Sequence, residues 1–200
     1  MGSAQTGSTD PQVCLLYTSV VIASHDNGLA RAVQAAFSGP TLRLYTNSDP
    51  VGVELGASLK NVIAIAAGVC AGLGLGANTT AALITRGLAE ITRMAVAAGG
   101  QSQTLAGLAG LGDLVLTCTG ELSRNRTVGF RLGRGEKLAE ILGGMRMVAE
   151  GVQTTYAAME LCQRLAVELP ITRQVHAILR EGRDPREALR ELMERSLKEE

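Results

Sequence analysis

The sequence predicts a mainly α protein, a short strand–helix–strand piece followed by an all-helical domain that takes up the rest of the chain. Strand signals are confined to residues 13–50 and nearly vanish from Val53 onward. Gly and Ala are abundant, Trp is absent, and there are only three Tyr and two Phe, which suits closely packed helices better than a β-sandwich. From Glu54 to the C-terminus, apolar residues recur at helical spacing between glycine, proline and capping signals.

The elements follow in order. "MGSAQTGSTDPQ" is small, polar and turn-prone, and residues 1–12 are expected to be a disordered leader or cloning scar. "VCLLYTSVVIAS" is β-branched and apolar enough for a buried strand. "DNGLARAVQAAFS" places Leu29, Val33 and Phe37 on one helical face, with Asp26 near its cap. "PTLRLYTNSD" alternates Leu42, Leu44 and Thr46 as a second strand, and Pro50 punctuates. One helix is predicted from Glu54 to about Gly72. A second runs from Asn78 or Thr79 to Gly99-Gly100, with Leu83, Leu88, Ile91 and Ala95 facing the core. A short helix at Thr104–Ala109 precedes the Gly-rich turn "GLAGLGD". Further helices are expected at Ser123–Leu132, Lys137–Leu142, Glu150–Val167 and Thr172–Arg180. "DPREALRELMERSL" closes the chain with Asp184 as cap, Pro185 in the first turn and Glu187 completing a capping box, its core face being Leu189, Leu192 and Met193. The domain plan is thus 1–12, 13–50 and 51–200.

Charge and cysteine usage exclude several classes. Nineteen basic residues balance nineteen acidic ones, so no net field argues for nucleic acid or an anionic membrane. Cys14, Cys70, Cys118 and Cys162 lie far apart without C-x-x-C or metal-like His spacing, as buried thiols of a reducing cytoplasm would. Asn61–Thr85 carries no charge over nearly a membrane-spanning length. The glycines and the Asn78-Thr79-Thr80 trio break it, so it reads as two buried helices separated at "GLGLGANTT", with no membrane insertion.

Chemistry has four candidate seats. Lys60 stands in an apolar helix with Gly56, Ala57, Ile63 and Ala64 at three and four residues. It is open to two readings, a lysine snorkelling from a buried helix or a partly desolvated proton-transferring group. In "TGELSRNRTVGF", Ser123 is a good N-cap, but Arg124 and Arg126 oppose the helix dipole in the first turn. A phosphate held by helix N–H groups, Ser123, Arg124 and Asn125 would resolve that conflict; a solvated basic turn is the other reading. Asp113, in a glycine-rich loop, either holds a lysine ammonium or caps a turn. Glu150 is either a helix-start carboxylate or an acceptor for a ligand ribose.

Taken together, "VELGASLKNVIAIAAG", "GLGANTTAALITRGLAEITRMAVAAGG", "LAGLGDLVLTCTGELSRNRTVGFRLGRG" and "VAEGVQTT" closely resemble the bacterial NAD(P)-dependent sn-glycerol-3-phosphate dehydrogenases, from about residue 20 to the C-terminal region. The resemblance implies a helical substrate domain of the 6-phosphogluconate dehydrogenase C-terminal type, preceded by the remnant of an NAD(P)-binding Rossmann domain. It implies interconversion of glycerol 3-phosphate and dihydroxyacetone phosphate with NADP or NAD, for phospholipid precursor synthesis, in a cytoplasmic homodimer. Lys60 matches the proton-transferring residue. Lys60, Asn61, Asp113, Thr117, Ser123, Arg124 and Asn125 match substrate-site positions, and Arg124, Val148 and Glu150 match cofactor-contacting ones. No G-x-G-x-x-G follows a first strand; "GLGLGA" lies between helices. The chain is therefore expected to be a truncated copy that does not turn over alone. The competing reading is a non-catalytic dimerisation or phosphate-binding module of the same fold. A dehydrogenase of the 3-hydroxyacid or ketopantoate type is a third, against which "SRNR" argues.

Overall fold

The structure, a computed structural model, describes residues 18–145 and 147–194. The leader, residues 13–17 of the expected first strand and Cys14 lie outside the described residues. Two compact units result, dividing after Pro50.

The first unit is a β-α-β element. Strand β1 (Thr18–Ala23) pairs in parallel with β2 (Leu42–Asn47), in register from Thr18 opposite Leu42 to Ala23 opposite Asn47. Helix α1 (Asn27–Phe37) connects them, and its cap is the expected one: Asp26 Oδ1 accepts from Leu29 N at 2.9 Å. The expectation of a buried strand is corrected, and the apolar face of α1 is largely open. Val20, Leu29 and Phe37 are exposed, and on α1 only Ala30 is fully buried, because a two-stranded sheet covers little of either element.

The second unit is helical. Its axis is α2 (Pro50–Gly72), which starts four residues earlier than expected because proline suits the first helical turn. By length and composition α2 could cross a bilayer, yet 72% of its most apolar window is buried by other helices. Helix α3 (Ala77–Ala97) follows, and its buried stripe is Ile84, Gly87, Ile91 and Met94, with Leu83 and Leu88 flanking it. Gly87 lets Ile63 of α2 approach: a Cβ there would stand 2.6 Å from Ile63 Cγ2.

Helix α4 (Ser102–Leu105) is shorter than expected, and the glycine-rich stretch after it is no loop. Leu108–Gly112 forms a π-helical turn, with Gly112 N donating to Gly107 O at 3.2 Å, and runs directly into α5 (Asp113–Thr119). Gly110 makes this possible, since a side chain there would meet Leu105 O at 2.1 Å. Then come α6 (Arg124–Gly133), α7 (Leu138–Gly143) and α8 (Glu150–Leu165). Helix α9 (Pro170–His176) extends through a π-helical turn at Ala177–Glu181, and α10 (Pro185–Met193) ends the described chain. Asp184 Oδ1 caps α10 by accepting from Arg186 N and Glu187 N at 2.8 and 3.2 Å. Met193 is 78% exposed, not in the core: Ala188 is buried and Leu192 packs against the core, while Leu189 is only half-buried.

Helices α2 and α6 pack almost backbone to backbone. Gly68 and Gly72 on α2 face Gly129 and Gly133 on α6, each pair one turn apart. A Cβ on Gly68 would stand 2.0 Å from Arg126 O, and one on Gly129 would stand 1.9 Å from Ile65 O. This crossing brings the start of α6 down onto the middle of α2, where Lys60 and Asn61 sit. Around it Val62, Ile65, Met94, Leu105, Leu114, Val128, Ile141 and Leu169 form the core.

Candidate functional site

Four helices contribute the polar side chains. From α2, Lys60 Nζ donates to Asp113 Oδ2, the first residue of α5. Both side chains keep a partial opening to solvent, 20% for Lys60 and 32% for Asp113. Thr117, one turn on, donates its hydroxyl to the Asp113 carbonyl at 2.6 Å and lies 3.5 Å from Asp113 Oδ1. Asp113 is thus neither in a loop nor a simple turn cap. The ammonium is held at the start of a helix, where a carboxylate is also favoured by the helix dipole.

The neighbouring residue on α2, Asn61, is buried and accepts at Oδ1 from Asn125 Nδ2 of α6 at 3.0 Å. Asn125 Oδ1 in turn accepts from the Gly151 N–H of α8 at 2.9 Å. Two residues back, Ser123 caps α6 by accepting from Arg126 N at 3.3 Å, which leaves its own O–H free to donate. Arg124 is exposed; its Nη1 donates to the Val148 carbonyl at 3.1 Å. Val148 is 71% exposed and Glu150, in the first turn of α8, is exposed as well.

Direct hydrogen bonds therefore join the candidates in three groups: Lys60, Asp113 and Thr117; Asn61, Asn125 and Gly151; Arg124 and Val148. Adjacent residues on α2, and again on α6, link these groups. Packing limits what some of these residues can offer a ligand. Asn125 is buried, its oxygen and one N–H already committed, so it offers a ligand at most one amide hydrogen. The small residues around Lys60 are mostly packed against the protein: a Cβ on Gly56 would meet Ala109 O at 2.9 Å, and Ala64 and Ala67 are buried, with only Ala57 exposed. Gly151 was not anticipated as a participant; its one signal is a glycine in the first turn of a helix, where nothing in the local backbone requires it.

Two concavities of the helical unit lie elsewhere. One of about 610 Å³ is bordered by Arg173, Arg183 and Glu191, where Arg183 Nη1 already binds Glu191 at 2.6 Å. The other, about 1260 Å³, is a mainly apolar groove along α3, α9 and α10. None of the nine expected site residues lines either.

Buried polar groups outside the site have clear structural tasks. Glu90 of α3 is 3% exposed and caps α9 from a distance: Oε1 accepts from Ile171 N at 2.5 Å, and Oε2 from Thr172 N and Oγ1 at 3.2 Å. Burial raises its pKa above the ordinary carboxylate value, against the lowering pull of these bonds. Cys70, Cys118 and Cys162 are free and buried, and burial pushes the Cys118 thiol up to about 12.

With this geometry in place, comparison with known proteins is informative. Residues 49–190 match the family model described as the NAD-dependent glycerol-3-phosphate dehydrogenase C-terminus. The glycerol-3-phosphate dehydrogenase (NAD(P)+) of Koribacter versatilis is 65% identical over 179 residues, 89% of this chain and 53% of that protein. That of Geobacter sulfurreducens is 61% identical over 183 residues, 92% of this chain and 55% of the relative. The crystal structure of glycerol-3-phosphate dehydrogenase from Coxiella burnetii superimposes with a TM-score of 0.87 at 46% identity, over 91% of this chain and 56% of that one. The chain spans about half the length of the curated relatives it matches.

Proposed function

The chain belongs to the family of the NAD-dependent glycerol-3-phosphate dehydrogenase C-terminus, and on that premise we propose that its helical unit is the substrate-holding half of such a dehydrogenase. The reaction is the interconversion of glycerol 3-phosphate and dihydroxyacetone phosphate with NADP or NAD, in a cytoplasmic homodimer that neither enters membranes nor binds nucleic acid. The β-α-β unit is read as the last part of the Rossmann domain. The observation that carries the reading is the Lys60–Asp113 pair, one residue along α2 from the Asn61–Asn125 amide pair that anchors the start of α6.

The chemistry divides between the two ends of this arrangement. Arg124, with donors left over after its bond to Val148, and the Ser123 hydroxyl grip the phosphate at the start of α6, where free helix N–H groups add to the field. Lys60 reaches the C2 oxygen. As an ammonium aimed by Asp113, it gives that oxygen a proton when dihydroxyacetone phosphate is reduced; as the neutral amine, it takes the proton back in the oxidation. Thr117 steadies Asp113. The nicotinamide cofactor, when bound, supplies or accepts the hydride at C2. The exposed Glu150 carboxylate and Val148, beside Arg124, fit its edge, an acceptor for ribose hydroxyls next to a cation for phosphate. The chain on its own is expected to bind without turning over, since orienting a dinucleotide takes a glycine-rich strand–helix turn that this sequence lacks.

Calorimetric titration of the chain tests this. Glycerol 3-phosphate should bind and glycerol, lacking the phosphate, should not. Equal weak heats from both would overturn the assignment.

A further inference from the structure

Gly151 is gripped on every side. Its N–H donates to Asn125 Oδ1 at 2.9 Å, and its carbonyl accepts from the fully buried Thr155 Oγ1 at 2.6 Å. A Cβ at this position would stand 2.8 Å from Asn125 Oδ1, 2.8 Å from the Asn61 carbonyl and 3.0 Å from Ile65 Cδ1. Real Cβ atoms do not come that close to oxygen, and two of the three neighbours belong to α2, the rigid axis of the unit.

The bond order along the chain of amides is also fixed. Since Asn125 Oδ1 faces an N–H, its Nδ2 faces Asn61 Oδ1, and a flip would set donor against donor at one end and oxygen against oxygen at the other. Asn125 acts as a distant cap for α8, satisfying a first-turn N–H that Ala149, at the N-cap, has no side-chain oxygen to satisfy. The stretch from Val148 to Gly151 is thereby tied to α6 twice, through adjacent residues: Val148 O to Arg124, and Gly151 N to Asn125.

We propose that Gly151 is a positioning residue of the site. Lying without a side chain between Asn61 and Asn125, it sets the distance between the starts of α6 and α8, and so aims the Arg124 guanidinium through the Val148 carbonyl. Gly151 is itself buried. The inference rests on the reading above that Arg124 grips phosphate. A side chain at 151 forces α8 outward, takes Val148 O away from Arg124, and leaves the guanidinium free to rotate.

Three measurements on this chain test the proposal. In the unaltered chain the Gly151 amide should exchange with solvent at least about tenfold more slowly than in Asn125→Ala, as loss of a single hydrogen bond implies. Equal exchange would show that the Asn125 cap does not form, and would overturn the proposal without any variant of Gly151. In Gly151→Ala, with helical circular dichroism retained, the Arg124 guanidinium NMR signals should collapse to the averaged position of a free arginine. Affinity for glycerol 3-phosphate should then fall about tenfold, the loss expected when one charged contact is no longer held in place. Unchanged Arg124 signals, or unchanged affinity, would overturn the positioning role. If the unaltered chain shows no affinity for glycerol 3-phosphate, the phosphate reading fails first and the positioning role fails with it; the Gly151 exchange result tells the two failures apart.

Discussion

Lys60 of α2 donates to Asp113, the opening residue of α5, fifty-three positions further along the chain. The pair holds a cation in a helix whose following two turns are buried, Val62 through Cys70, so its place is not that of an ordinary surface lysine. The partial exposure of both side chains makes the pair worth little as a staple, about 0–1 kcal/mol for such contacts. Its value lies in aim.

That argument predicts a split between stability and chemistry. In a full-length dehydrogenase carrying these residues, Lys60→Met keeps the stem and removes the proton carrier. Turnover should fall by about 10²–10⁴-fold, the range for lost acid–base catalysis, with circular dichroism nearly unchanged. A drop of less than tenfold would return Lys60 to the role of a snorkelling lysine.

Arg124 gives a binding prediction. Its guanidinium is exposed, and a single contact with Val148 O leaves most of its donors free. Arg124→Ala should weaken glycerol 3-phosphate binding by about 1.5–3 kcal/mol, as for a hydrogen bond to a charged group. Calorimetry reads this directly. Wild-type affinity in the variant would move the phosphate elsewhere.

Much of this arrangement was legible in the sequence, and the misses have physical causes. The long helices, the Ser123 and Asp184 caps and the option that Asp113 holds the Lys60 ammonium follow from periodicity, capping chemistry and the chemistry of the two side chains. The helix beginning at Asp113 was missed because its glycine-rich approach reads as a loop. Only contact with Leu105 shows that Gly110 is small in order to let a π-helical turn close. Glu90 was passed over because a glutamate in a helix is ordinarily a solvated residue. Its burial depends on the uncapped start of α9, eighty positions away. The amide chain through Gly151 was invisible for the same reason, since its partners meet only after α2, α6 and α8 have packed.

The crossing of α2 and α6 is the feature on which the site's geometry depends most. Gly129→Ala puts a carbon 1.9 Å from Ile65 O, a backbone atom that cannot rotate away. The helices must separate, and the cost should reach or exceed about 3 kcal/mol, the upper range for overpacking. Gly143→Ala is the control: it lies in α7 with nothing within 4 Å and should be neutral or slightly stabilising, by up to about 1 kcal/mol. Urea denaturation compares them. Similar midpoints for the two variants would mean that the crossing is looser than described.

Glu90 makes stability depend on pH in a stated direction. Its folded pKa is raised, chiefly by burial, above the ordinary value of 4.5. The native state therefore holds this proton more tightly than the unfolded chain, and the associated stability is fully present below about 4.5 and lost as pH rises through the folded pKa. At neutral pH the carboxylate satisfies Ile171 N, Thr172 N and Thr172 Oγ1. Glu90→Gln removes the titration and turns an NH₂ toward one of those donors. It should cost about 1–3 kcal/mol at pH 7, the penalty for a buried donor left without its acceptor. The advantage of wild type over Glu90→Gln, read from urea midpoints at a series of pH values, should shrink as pH climbs from 4.5 through the folded pKa. Parallel profiles would mean that Glu90 does not titrate in the folded protein over that range, and that its burial is relieved by water or by movement of α9.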